Sequence, residues 1–149
     1  MSVGLKAGYS WYQIGRSDYL ESFFSTIAYY LEDKKWGSKY PYVMKKLYSG
    51  ELSFKNVDNA INELKNIRDS LKKLDKEHNK IIWDARDLTI EVPKWAINPN
   101  NKVVSLANYY VTADGRDLIE VFLLALNDSK ESNNNLLLTS LAKDTTSYF

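Results

Sequence analysis

The apolar positions change period within the first third of the chain. Val3, Leu5, Ala7, Tyr9 and Trp11 alternate with Gly4, Lys6, Gly8, Ser10 and Tyr12. A period of two with one apolar side predicts a half-buried strand, ended by Gly15. The spacing then widens to three and four. Leu20, Phe23, Phe24, Ile27, Tyr30 and Leu31 predict a helix running to about Lys35, with Gly37 as its stop. Asp18 followed by Glu21 has the form of a capping box at its start. Pro41 fits the first turn of a second, short helix carrying Val43, Met44, Leu47 and Tyr48, closed by Gly50. The cleanest period belongs to Val57, Ala60, Ile61, Leu64, Ile67, Leu71 and Leu74, a long amphipathic helix with charged residues between the apolar ones.

Beyond that helix the pattern weakens. Residues 75–80 read as a solvated loop and Ile81–Trp83 as a short strand. Residues 89–102 hold Pro93, Pro99 and several Asn, and read as an irregular connection. Val103–Leu106 and Tyr109–Thr112 predict one or two further strands. Asp114-Gly115 is a turn that opens a last helix, with Leu118, Ile119, Phe122, Leu123 and Leu126 on its apolar side. Residues 127–135 are polar and read as a loop, and Leu136–Leu141 is too short for a period to decide helix or strand. The tail 143–149 is expected to fray. Strands and helices that do not alternate regularly predict an α+β fold, a small, mostly antiparallel sheet packed against three to four helices. The expected unit is one domain over 1–149, its core about 3–126, with 127–149 unassigned.

Composition narrows the function classes. With 149 residues, 44% hydrophobic and 26% charged, the chain is long enough for a core without staples. It has no cysteine, which excludes disulfides, thiolate catalysis and cysteine-based zinc sites. No N-terminal leader pattern and no apolar run of membrane-spanning length is visible, so a cytoplasmic location is expected. Net charge is +1, from 20 basic and 19 acidic residues, too little to attract nucleic acid or a membrane surface. The balance is uneven: residues 1–80 hold 14 basic and 10 acidic residues (+4), and residues 81–149 hold 6 and 9 (−3).

Candidate chemistry is sparse. His78 is the only histidine and sits among charged residues on a predicted loop, where nothing would tune it. Any metal site would need carboxylates alone, and two pairs have the spacing: Asp84 with Asp87, and Asp114 with Asp117. Both pairs also fit helix-capping and turn roles, with Asp114 as cap and Asp117 in the first turn. Neither a phosphate-binding glycine loop nor a nucleophile elbow is present. No metal and no cofactor is therefore expected. The unusual feature is aromatic content, 20 residues of which 11 are Tyr. Trp and Tyr join apolar area to a polar tip and anchor interfaces. Trp36, Tyr40, Tyr42 and Trp95, near loops and helix ends, are the interface candidates.

Four stretches together resemble the immunity protein 70 family. They are Phe23–Ile27 with Tyr29–Glu32, Lys34–Pro41, Trp83-Asp84-x-x-Asp87-Leu88, and Tyr109–Leu118. The resemblance spans about residues 3–126. Ala113 departs from it where a small polar residue is expected. It implies a small bacterial protein encoded beside a polymorphic toxin, protecting its producer by binding that toxin rather than by catalysis. The implied partner is the cognate toxin domain, with no nucleic acid and no membrane, and with the oligomeric state open. The acidic second half suggests a toxin-facing patch of Asp84, Asp87, Glu91, Asp114 and Glu120 beside the aromatic candidates. Two other readings remain at this stage: a carboxylate- or metal-dependent hydrolase, and a single-strand nucleic-acid binder using the basic first half.

Overall fold

The alternating N-terminal segment folds back on itself. In the computed structural model, which describes residues 2–140, it forms two strands, β1 (Ser2–Ala7) and β2 (Ser10–Arg16), rather than one. The strands are antiparallel, joined by Gly8 and Tyr9. Gly8 has φ +60, a turn conformation that glycine adopts without steric cost. Tyr9 stands at the tip, 99% exposed. Gly4 is required for a different reason: a Cβ there would lie 2.6 Å from both the Trp11 ring and the Tyr12 carbonyl. A bulge between Val3 and Gly4 leaves Ile14 as the extra residue of β2.

The first helix, α1 (Ser17–Leu31), presents Leu20, Phe23, Phe24 and Ile27 to the core. Its capping box does not form. No side chain caps its start, Asp18 instead pairs with Arg16, and Glu21 accepts hydrogen bonds from Tyr48 and Arg86. The helix stops at Leu31, short of Lys35, because Asp33 and Lys34 take left-handed φ values of 51 and 65. The Lys34 N–H then donates back to the Ala28 carbonyl. Pro41 opens the short second helix as expected, but Tyr42–Leu47 winds as a π-turn. The amphipathic helix α2 (Val57–Leu71) buries Val57, Ala60, Leu64, Ile67 and Leu71, following its sequence period.

The last helix, α3 (Leu118–Ser132), runs through most of the polar stretch read as loop. It ends where Asn133 turns left-handed at φ 56. The following residues then form β4 (Leu136–Ser140), which pairs with β1 on one side and β3 (Glu51–Leu52) on the other. The sheet order is β2-β1-β4-β3, all antiparallel. The fold is α+β. Helix α3 lies against β1, β2 and β4, with α2 against α3. Phe23, Phe24 and Phe122 fill the centre, Phe23 and Phe122 stacked at 5.9 Å between ring centroids. The predicted tail 143–149 lies outside the described residues.

Three segments read as strands are not strands. Ile81–Trp83, Val103–Leu106 and Tyr109–Thr112 belong to a long connection whose regular elements are two single 3-10 turns, Lys94–Ala96 and Leu106–Asn108. Its strand-like pairing is limited to isolated bridges at Asp75–Ser105 and Val111–Asp117.

Candidate partner-binding surface

A connection this long must satisfy its backbone groups without a ladder. Helix α1 does much of that work with small polar side chains on its buried side. The Ser22 hydroxyl donates to the Ile82 carbonyl at 2.7 Å, and Thr26 Oγ1 accepts the Ile82 N–H at 2.9 Å. Ser25 accepts the Ala85 N–H at 3.0 Å. The Tyr110 hydroxyl lies 2.8 Å from both Ser22 and Thr26 and closes the cluster, its pKa raised by burial. Further along, Asn98 bonds both the hydroxyl and the carbonyl of Tyr109, and Lys76 donates to the Asn100 carbonyl at 2.8 Å. The segment is therefore held from inside by specific bonds, the arrangement expected of a preorganised loop surface.

Its outside is apolar. Leu88, Ile90, Trp95, Ile97 and Val111 are large hydrophobic residues left exposed. They flank two adjoining hollows. The larger, of about 700 Å³, is lined by Trp83, Asp84, Leu88, Ile90, Glu91 and Ile97 among others. The smaller, of about 390 Å³, is lined by Ile14, Tyr19, Trp95, Ile97 and Val111 among others. Ile97 borders both. Trp95 is 51% exposed yet fixed: Trp83 meets it edge-on at 5.6 Å, Tyr19 packs at 6.0 Å, and the Arg16 guanidinium sits 4.3 Å from its ring centre. Exposed apolar side chains gathered on one face mark an interaction site, and a half-open indole with fixed neighbours is the anchor type that dominates interfaces.

The expected site residues divide. Trp95, Asp84 and Glu91 belong to this face. Asp87 is exposed beside it, its carboxylate accepting from the Thr89 backbone and hydroxyl. Asp84 accepts the Arg86 N–H, which is the main reason its pKa is lowered. Trp36 is half-buried, its indole N–H given to the Met44 carbonyl, and Arg86 bridges it to Asp84. Tyr42 is half-buried, its N–H turned to Glu63. Tyr40 is a correction: only 3% exposed, with its hydroxyl on Asn66, it is a core residue that no partner can reach in this conformation.

Glu120 stands on α3 paired with Arg68 of α2, and Asp114 accepts the Thr112 hydroxyl in the turn before that helix. No hydrogen bond or ion pair among the described residues joins these two to Asp84 or Glu91. The expected cap is also displaced. Asp117, not Asp114, is the N-cap, accepting the Glu120 N–H at 3.0 Å, and burial raises its pKa. His78 is exposed with Nδ1 2.7 Å from Asp75. Among the described residues no three His, Asp or Glu side chains converge into a set that could hold a metal ion. What sequence reasoning missed is Arg16, Tyr19, Leu88, Ile90, Ile97 and Val111. One signal was available: a Pro- and Asn-rich connection carrying so many large apolar side chains has no period by which to bury them.

A family model described as Immunity protein 70 matches residues 5–138. The chain belongs to the immunity protein 70 family. The match runs through α3 into β4, beyond the stretch ending near residue 126 that the sequence motifs suggested. No curated protein and no solved structure matches the chain. As a member of the immunity protein 70 family it is an immunity protein of toxin systems. Three of the four motifs now have places around this face. Phe23–Ile27 supplies core rings and the Ser25 and Thr26 hydroxyls that hold the connection, while Trp83–Leu88 and Tyr109–Leu118 bracket the apolar face.

Proposed function

We propose that this immunity protein neutralises its cognate toxin by direct, stoichiometric binding through the apolar face around Trp95, without catalysis or cofactor. The observation that carries the reading is the grouping of Leu88, Ile90, Trp95, Ile97 and Val111 around two hollows on a connection braced from within. A stable complex needs on the order of 800 Å² per partner, and a rigid apolar centre rimmed by Asp84, Asp87 and Glu91 has the anatomy of such an interface. Binding would take place in the cytoplasm of the producer. No helix of the described residues is long and apolar enough to cross a membrane.

The test is co-purification of the tagged protein with the toxin domain encoded beside it, followed by rescue of growth in cells expressing that domain. A stable complex with rescue supports neutralisation by binding. Rescue without a complex would instead require an indirect or catalytic route, and failure of both would overturn the reading.

A further inference from the structure

A second surface differs sharply in character from the apolar face. Lys34, Lys35, Lys39, Lys45 and Lys46 are all exposed. The fold brings their two segments together: the stem of Lys45 passes over Gly37, where a Cβ would come within 2.5 Å of its Cε. The backbone beneath is fixed. The buried Glu32 carboxylate accepts the N–H groups of Gly37, Lys39 and Tyr40, each at 2.9 Å, and Glu63 accepts that of Val43 at 2.8 Å.

The charge here is uncompensated. Among the described residues none of the five ammonium groups forms an ion pair. Lys34 and Lys39 lie only over the rings of Tyr29 and Tyr40. The acidic residues between positions 32 and 50 are Glu32, whose oxygens are already taken, and Asp33. Arg86, over the Trp36 ring, is tied to Glu21 and Asp84. Five lysines without an ion pair thus stand on segments whose own exposed carboxylate is Asp33, with the half-buried Glu63 beneath occupied by the Tyr42 and Val43 N–H groups, in a molecule whose net charge is only +1.

We propose that this lysine face receives an acidic surface of the same toxin that the Trp95 face grips, and steers its approach. The inference rests on the neutralisation reading. The two faces adjoin, because the Tyr29 ring beneath Lys34 also lines the larger hollow. Carboxylates of a protein fit better than a nucleic acid. Single strands need a groove that follows the backbone and open rings on which bases stack. None of the five lysines lines either hollow, the Trp36 ring is packed on Tyr48 at 4.9 Å, and Tyr40 is buried. Unpaired surface charge acts mainly on association rate.

The experiment compares association kinetics of wild type, Trp95→Ala and the triple variant Lys35→Glu/Lys39→Glu/Lys46→Glu with the toxin domain, at low and at physiological salt. Each variant is first checked for a native circular dichroism spectrum and thermal midpoint. The expected result is an association rate lowered about tenfold or more at low salt in the triple variant, a flattened or inverted salt dependence, and a dissociation rate within about twofold of wild type. Trp95→Ala should do the reverse, raising dissociation and sparing association. An unchanged rate and salt dependence in the triple variant would overturn this inference alone. So would an unchanged toxin rate accompanied by lost binding of a single-stranded oligothymidylate, which would make the face a nucleic-acid site. No complex with wild type would overturn both this inference and the neutralisation reading.

Discussion

Trp95→Ala is the sharpest probe of the apolar face, and its size can be worked from the structure. The indole is 51% exposed in the free protein. A tryptophan side chain offers on the order of 250 Å², so about 130 Å² remains for a partner to cover. At about 25 cal/mol per Å² this amounts to about 3 kcal/mol, roughly two powers of ten in Kd. Coverage of only half the open area would still leave about 1.5 kcal/mol, near tenfold. The loss should appear in dissociation, since the substitution removes no charge.

The ring also contributes to the fold through Trp83, Tyr19 and Arg16, at about 0.5–1.5 kcal/mol for each aromatic pair. A denaturant midpoint must therefore accompany the titration, which is made by isothermal calorimetry against the toxin domain. Tyr9→Ala is the control. Its ring is 99% exposed at the β1–β2 turn, lines neither hollow, and should leave Kd unchanged. A folded Trp95→Ala protein whose Kd moves less than about threefold (~0.65 kcal/mol) would refute the anchoring role. An equal loss in Tyr9→Ala would show that exposed aromatic area, wherever it lies, is what matters.

Other expectations concern the supports of the two faces. Glu32→Ala leaves the N–H groups of Gly37, Lys39 and Tyr40 without their acceptor; at about 1 kcal/mol for each orphaned donor the loss is about 3 kcal/mol. Urea denaturation measures it, and a shift below about 1 kcal/mol would mean that the loop finds other partners. Tyr110→Phe removes the hydroxyl shared by Ser22 and Thr26 but leaves both bonded to Ile82, so a loss of about 1–3 kcal/mol is expected, with amide exchange speeding up along residues 81–85. Tyr12, which donates to Asp128 across β2 and α3, has its pKa pushed up to about 12 from 10.0, first by burial and then by that bond. The folded state thus keeps a proton that the unfolded state releases, so this contribution is complete below pH 10 and is lost as pH rises through about 12. Urea midpoints of wild type and Tyr12→Phe should converge between pH 9 and 11.5, and a constant gap would contradict the linkage.

How much of this was legible in the sequence follows from which forces have a local period. Helices α1 and α2 were legible because Phe23, Phe24 and Ile27, and then Ala60, Leu64, Ile67 and Leu71, repeat at helical spacing and all face the core. The hairpin was misread for a geometric reason. A two-residue turn pairs Ala7 with Ser10, so the inward side switches from odd to even positions: Leu5 faces across to Tyr12, and Lys6 to Trp11. The alternation continued in the letters while the chain reversed, and only Gly8 marked the place.

The second half of α3 was lost because its inward residue is Ser129, fully buried and bonded to the Asn134 carbonyl, which reads as polar in any hydrophobic pattern. With that helix shortened, β4 had no visible place, although it is an interior strand of the sheet. The apolar face was the least legible part. Trp95 was named by its residue type, but the Arg16 and Tyr19 that hold it come from far away in the sequence, at the start of the chain. The hydroxyls bracing the connection sit on α1, where Ser22, Ser25 and Thr26 resemble solvent-facing helix residues until Ile82 and Ala85 are placed against them. A backbone held by side chains from afar has no period, so its apolar residues appeared scattered. They are separated along the chain and gathered in space, which places the strongest test of this face on Trp95, where Arg16 and Tyr19 from the start of the chain meet Trp83 from its middle.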